Sequence, residues 1–427
     1  LHHSLIALDR ALGGKLVVMA GDPAEILPHL AVATSAKAIH WNRTYEPWRI
    51  TRDARIKTQC ADQGLKAQSY NGSLLWEPWE VLKKDGTPYK VFTPFYRRGC
   101  LAAAPPRPPL PAPPRLNIAE LDNHIEGTRA ITKLALLSKH GWKDGLAATW
   151  CIGETGAHDR LHAFLDNGLY GYKNGRNFPA KLNVSRLSAY LHWGEISPNS
   201  VWYAAKDRME AGFAQDDDCD HFLSELGWRE FSYSLLYHFP ELPSKNLNPR
   251  FDSFDWSDNP MLLDCWQKGQ TGYPIVDAGM RELWQTGYMH NRLRMIVGSF
   301  LVKNLRLHWH HGEAWFWDCL VDADLASNSA GWQWIAGCGA DAAPYFRIFN
   351  PITQGIKFDA DGDYIRRYVP ELANLPDTYL CKPWEAPSDI LAKAGVRLGE
   401  TYPKPVVDVK VSREAALAAF SALRNGS

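Results

Sequence analysis

The stretch from Asp322 to Asn350, DADLASNSAGWQWIAGCGADAAPYFRIFN, constrains this chain more than any other. It packs three carboxylates, two Asn, two Trp and a polar-aromatic tail into a short span. Asn328 and Trp332 are four apart, so on a helix they share one face, while Trp334 points nearly the opposite way. A helix with Trp on opposing faces is not an ordinary amphipathic surface helix. Either it is wedged between two neighbours that both take aromatic contact, or it is a fully buried core helix ended by Gly337-Cys338-Gly339.

The chain around this stretch is long enough, at 427 residues, for two or three domains, and its 45% apolar residues can supply their cores. Lys+Arg and Asp+Glu both number 47, so any nucleic-acid contact must come from a local patch. The 18 Trp call for large buried volumes or stacking surfaces. The eight Cys form no CxxC pair, which argues against a zinc ribbon or disulfide scaffold and suits a reducing compartment. No apolar run approaches membrane-spanning length and no signal peptide opens the chain, so the expected location is cytoplasmic.

In chain order, LHHSLIALDRAL reads as an amphipathic helix and Lys15–Ala20 as a buried strand. A helix follows at Ala24–Thr34, a second strand at Ala38–Trp41, a polar helix at Arg49–Asp62 and a third strand at Leu65–Tyr70. Strands separated by helices imply a parallel α/β sheet. The Pro-rich run from Ala104 to Pro114 reads as an extended linker, or less readily as a ligand for a proline-binding domain. From Ile118 onward the pattern is helical, with Ser197-Pro198 as a cap and first-turn Pro, a long aromatic helix at Asp216–Phe239 and an Ala-rich helix at Ser412–Leu423. The division expected is an α/β region at 1–95, a linker at 96–116 and an all-helical region at 117–427.

Several constellations could carry chemistry. Val184-Ser185-Arg186-Leu187-Ser188 opens a helix, where backbone N–H groups, hydroxyls and an Arg suit a diphosphate, although Ser at a helix start is commonly just a cap. Glu225, Trp228 and Arg229 share one helix face; bordering a cavity, a carboxyl, a flat ring and a cation there suit a heterocycle. Asn291 and Met295, also four apart, would form a second wall and Trp334 a third. A plain core face does not account for a carboxylate beside Trp228, because unpaired buried carboxylates are costly. His308, His310 and His311 flank Trp309, but His308 and His310 would diverge on a helix and nothing completes a metal shell.

The 322–350 stretch, TGYPIVDAGMRELWQTGYMHNRLRM (Thr271–Met295) before it and ITQGIKFDADGDYIRRYVPEL after it closely resemble the cryptochrome/photolyase family, and within it the class I cyclobutane pyrimidine dimer photolyases. The resemblance runs from about Trp41 to the end of the chain. It implies a Rossmann-like α/β antenna domain joined by the Pro-rich linker to an all-helical FAD-binding domain. The family's usual first strand–helix unit is missing, so the sequence is truncated or its sheet smaller than usual.

The resemblance further implies FAD, active as FADH⁻, held by Tyr172, Val184, Ser185, Arg186, Leu187, Ser188, Arg294, Asp322, Ala323, Asp324 and Asn328. Arg294 and Asp322 would lie against the flavin ring and Asn328 would face its N5. Asn there favours the repair branch, since plant cryptochromes resemble this position with Asp. Trp332, Trp309 and Trp256 match the family's electron-transfer chain to oxidised flavin. Glu225, Trp228, Arg229, Asn291, Met295 and Trp334 match residues contacting a flipped-out dimer. Arg176, Arg292, Gln354 and Arg347 match the DNA side. His290-Asn291 stands where (6-4) photolyases carry two His. Trp41–Trp48 resembles the segment bordering a second, antenna chromophore, which could be folate, deazaflavin or flavin. The activity implied is light-driven splitting of pyrimidine dimers in DNA by a monomer without obligate protein partner or membrane. A cryptochrome-type photoreceptor is the alternative.

Overall fold

Trp41 anchors the N-terminal sheet by donating its indole N–H to Asp53 at 2.9 Å in the computed structural model, which describes residues 1–119, 127–342 and 346–425. Strands β1 (Ala38–Asn42) and β2 (Lys66–Tyr70) pair in parallel, with Ala38 opposite Lys66 and Asn42 opposite Tyr70. The helix Pro47–Asp62 connects them; Pro47 suits its first turn, where no N–H partner is needed. Its Ile56 and Cys60 pack on Ala24 of helix Pro23–Ala33, with Ile39, Trp41 and Ala67 at the margin. Asp22 caps that helix by accepting from the Ala24 N–H.

Two of the three expected strands form. Lys15–Ala20 is not one of them: Met19 alone makes an isolated antiparallel bridge, to Thr128. An apolar run becomes a strand only where a neighbour completes its ladder. The Pro-rich run has neither helix nor strand and is tied down at its start. Trp76 donates to the Ala104 carbonyl at 2.9 Å, Tyr203 to that of Pro106, and Asn199 to that of Arg107 at 2.7 Å.

The chain forms two compact units, each assembled from separate stretches. The first comprises Leu1–Tyr89, Thr93–Asp166 and Ser185–Pro240; the second comprises Lys90–Phe92, Asn167–Val184 and Glu241–Ser427. The first contains the sheet and the helices Pro198–Glu210 and Asp216–His238. Ser197 caps the former as expected, accepting from the Ser200 N–H at 3.0 Å.

The second unit is helical. Its core joins Trp266, Phe300, Trp309, Phe316 and Trp332. The run TGYPIVDAGM is its clamp. Buried Asp277 accepts from the Thr271 N–H (2.7 Å), the Thr271 hydroxyl (2.6 Å), the Gly272 N–H (3.1 Å) and the Tyr402 hydroxyl (2.7 Å). Gly272, at φ +79°, leaves room for the Lys404 backbone, which any Cβ would strike at 2.5 Å. Lys303 is buried in a π-helical turn, donates to the Ala336 carbonyl at 3.1 Å and lies over the Phe346 ring. Burial pulls its pKa down to about 7. The Ala-rich helix is longer than expected, Val409–Asn425. Among the described residues no helix is long and apolar enough to cross a membrane.

Candidate functional site

In the second unit the helix Leu325–Ala336 carries the densest set of candidate residues. Asp324 begins it by accepting from the Ser327 N–H at 2.8 Å, and Gly337 ends it at φ +100°. Asn328, Ser329, Trp332 and Gln333 are buried. The Asn328 amide donates from Nδ2 to the Glu313 backbone carbonyl at 2.9 Å. The Ser329 hydroxyl donates to the carboxyl of the same Glu313, which burial pushes up to about 7. Trp332 fills the notch at Gly312, so that both aromatics of the helix are engaged differently: Trp334 is only partly buried, with the Arg347 guanidinium 5.4 Å from its ring.

Asp322, just before this helix, is 8% exposed and accepts from Arg294 Nη2 at 3.1 Å. Arg294 is fixed from its other edge by donating from Nε to the Met289 carbonyl at 2.9 Å. Ala323 packs at the margin of the core. The helix Asn291–Ser299 therefore presents Arg294 on one side and, one turn earlier, an exposed Asn291. Arg292 lies 4.4 Å from the Phe358 ring, bonds Asn177 and makes a weak contact with Met295 sulfur at 3.7 Å. Burial, then the Arg176 cation, lowers the pKa of Arg292. Arg176 stands 5.4 Å from the buried ring of Tyr172. Gln354 is partly buried, and its Oε1 meets no partner among the described residues.

The three Trp of the expected electron path lie in this unit. Trp309 is fully buried, and His308 touches both it and Trp256, with ring centroids 5.6 and 5.0 Å apart. Trp332 packs on Gly312, one turn along from Trp309. The expected divergence of His308 and His310 does not occur. His308 precedes the helix and caps it through Nδ1, leaving the two imidazoles 4.7 Å apart. Burial and the neighbouring His310 and His311 push His308 down to about 4, so its ring is neutral at physiological pH. Among the described residues no group of three or more potential metal ligands occurs.

In the first unit, Glu225, Trp228 and Arg229 are partly exposed on helix Asp216–His238. Gly227 sits beneath them against Tyr96, which a Cβ would strike at 2.5 Å. Arg229 is turned inward: it donates to the Ser73 carbonyl at 2.6 Å and lies 5.0 Å from the Tyr233 ring. Next to it, Glu230 accepts from the N–H groups of Leu75 (2.9 Å) and Trp76 (3.1 Å). Ser185 does not open a helix. The regular turns begin at Ser188 and end at Trp193, Leu187 stands at the cap without a side-chain bond, and Arg186 adopts φ +54°. A helix this short has a small dipole, so hydroxyls and backbone N–H groups of the preceding turn would have to bind any phosphate. Of the antenna candidates, Tyr45 is buried on Glu77, while Trp48 is 58% exposed with Arg49 and Arg52 at its ring.

This donor set suits a flavin. A planar guanidinium held in position by a buried carboxylate favours a negatively charged ring, and a fixed amide can serve a ring nitrogen. Residues 222–422 match the family described as the FAD binding domain of DNA photolyase, and residues 1–114 match DNA photolyase. The chain belongs to the photolyase/cryptochrome family. An Agrobacterium fabrum protein named deoxyribodipyrimidine photo-lyase is 49% identical across 99% of this chain and 88% of its own length. Arabidopsis thaliana cryptochrome-2 is 37% identical over 92% of the chain, which spans 65% of that protein. Among solved structures, a class III photolyase from Agrobacterium tumefaciens superposes with a TM-score of 0.89 at 49% identity, covering 99% of this chain and 88% of the other. An archaeal photolyase from Sulfolobus tokodaii with two FAD molecules superposes at 0.75 with 29% identity, covering 99% and 87%. The class I subtype expected from the motifs finds no support in these similarities.

Sequence reading passed over Glu230, whose buried carboxyl holds the Leu75 and Trp76 N–H groups, and Gln333, which lies hidden between two Trp. Neither carries a local signal. Each acts on backbone far away in the chain, at Leu75 and Leu247.

Proposed function

We propose that this chain is a light-driven DNA repair enzyme of the class III photolyase type, a deoxyribodipyrimidine photo-lyase that splits cyclobutane pyrimidine dimers. The observation that carries the reading is 49% identity, along almost the whole chain, to a protein bearing that enzyme name. When bound, FADH⁻ supplies under light the electron that opens the cyclobutane ring, and the electron returns afterwards. The side chains bind, orient and keep water out; none need act as a nucleophile.

Arg294, Asp322, Ala323, Asp324, Asn328 and Tyr172, with the Val184–Ser188 turn, are the residues that would hold the cofactor. Glu225 would hydrogen-bond the dimer as charge develops on it, and Trp228, Trp334, Asn291 and Met295 would contact its rings. Arg176, Arg292, Gln354 and Arg347 would meet the phosphate backbone. The inward hydrogen bond of Arg229 to the Ser73 carbonyl favours a supporting part for it rather than direct contact with the dimer. Trp256, Trp309 and Trp332 would return the resting flavin to its reduced state. A monomer in the cytoplasm completes the proposal.

A second reading, blue-light signalling, draws on the 37% identity to cryptochrome-2. The test is an oligonucleotide whose restriction site is blocked by one thymine dimer. Repair predicts that blue light with the purified protein restores cleavage and darkness does not; a site still blocked after illumination would favour signalling.

A further inference from the structure

Trp309 donates its indole N–H to Asn246 Oδ1 at 2.9 Å. Asn246 in turn donates from Nδ2 to Asp252 Oδ1 at 2.6 Å, and Asp252 is exposed. Only this orientation of the amide satisfies both neighbours, because the indole can only donate and the carboxylate can only accept. The loop that presents Asn246 is held from the next helix. Gln333, fully buried, accepts from the Leu247 N–H at 2.9 Å and donates to the carbonyls of Leu242 and Lys245 at 2.7 and 2.8 Å. The helix that carries Trp332 thus also fixes the hydrogen-bond partner of Trp309.

We propose that Asn246 is a positioning residue of the tryptophan path: it holds the Trp309 N–H on an acceptor too weakly basic to take the proton, so that positive charge arriving at Trp309 passes on to Trp256. This rests on the reading of Trp332, Trp309 and Trp256 as an electron path. An indole that has lost an electron is strongly acidic at its N–H. Hydrogen bonding to oxygen stabilises that cation, and the Asp252 carboxylate polarises the amide in the same direction. An amide oxygen does not bind a proton at neutral pH, so the charge stays mobile.

With oxidised flavin bound as the electron acceptor in light, the charge would begin on Trp332 and would move to Trp309 as Trp332 takes one electron back from it. One electron then leaves Trp256 for Trp309, which returns to neutral indole with its N–H intact. A thiol reductant in solution refills Trp256. A carboxylate at position 246 would instead accept the Trp309 proton and leave a neutral radical, whose recovery needs an electron and a proton together.

The test uses the full-length, flavin-loaded protein with dithiothreitol, followed by transient absorption after a blue flash. Asn246→Asp is expected to give an early neutral tryptophan radical and a several-fold lower yield of flavin photoreduction, close to that of Trp309→Phe. A dark measurement independent of turnover is the ultraviolet resonance Raman band of the indole N–H, isolated by subtracting Trp309→Phe. It is expected at a hydrogen-bonded position in the parent, at a free position in Asn246→Leu and part-way in Asp252→Asn, a change at an exposed side chain. Parent-like yield and radical kinetics in Asn246→Asp, while Trp309→Phe is blocked, would overturn the proposal. So would an unmoved Raman band in Asn246→Leu. If Trp309→Phe itself photoreduces like the parent, the electron-path reading fails instead.

Discussion

The Asn328 side chain and the Glu313 backbone are joined by a 2.9 Å hydrogen bond that runs from amide N–H to carbonyl oxygen. The amide therefore has one defined orientation, with Oδ1 turned away from Glu313. Asn328→Asp puts an acceptor against an acceptor, at a local cost of about 1–3 kcal/mol. If Asn328 sits at the flavin and not on the DNA, as proposed, the substitution is expected to shift the flavin midpoint potential while leaving affinity for a dimer-containing oligonucleotide nearly unchanged. Spectroelectrochemical titration and a binding isotherm check this; equal loss in both would contradict the placement.

Gly312 is the notch that seats Trp332. A Cβ there would fall 2.1 Å from Trp332 Cη2 and 2.4 Å from Cζ3. Gly312→Ala must displace the indole, and overpacking of this kind costs about 1–3 kcal/mol. Chemical denaturation is expected to show that loss, together with slower flavin photoreduction. Undiminished stability would mean that Trp332 is seated elsewhere.

Glu230 makes stability depend on pH. Burial pushes its pKa from the ordinary 4.5 up to about 7, offset in part by Arg229 and the Trp76 and Leu75 N–H groups. Between these two values the folded chain holds a proton that the unfolded chain has lost, so unfolding free energy falls as pH rises, by up to ~3 kcal/mol for this group. Glu230→Gln keeps a carbonyl oxygen for both N–H groups and removes the titration. Denaturant midpoints at pH 5 and pH 8 are expected to converge in the variant; an unchanged slope would rule Glu230 out as its source.

Arg176 and Arg292 are close enough that one cation lowers the pKa of the other, an arrangement that a bound phosphate would relieve. Arg292→Ala is expected to weaken binding to damaged and undamaged DNA alike and to reduce the slope of log affinity against log salt by about 1. Loss confined to damaged DNA would assign Arg292 to the dimer rather than to the backbone.

How much of this could be read from sequence depends on where each signal resides. β1, β2 and the helix between them are local signals, although the helix begins at Pro47 and not at the expected Arg49. Lys15–Ala20 looks equally strand-like but has no partner to complete a ladder, and partners are not local information. The Trp332/Trp334 divergence follows from helical spacing. The Arg294–Asp322 pair did not come from spacing at all; it came from resemblance, because 28 residues separate its members. The Gln333 contacts with the 242–247 loop span more than 80 residues and were invisible. Of the Val184–Ser188 run that the sequence reads as opening a helix, only Ser188 is in the helix, with Leu187 at the cap.

The most direct measurement is a count of intact thymine pairs restored within a dimer-containing oligonucleotide by protein whose flavin has first been chemically reduced, under blue light and in darkness. The account predicts splitting only in the light, retained in Trp309→Phe because the tryptophan path is bypassed, and lost when flavin is removed. Dimers left whole in the illuminated, fully reduced protein would contradict it.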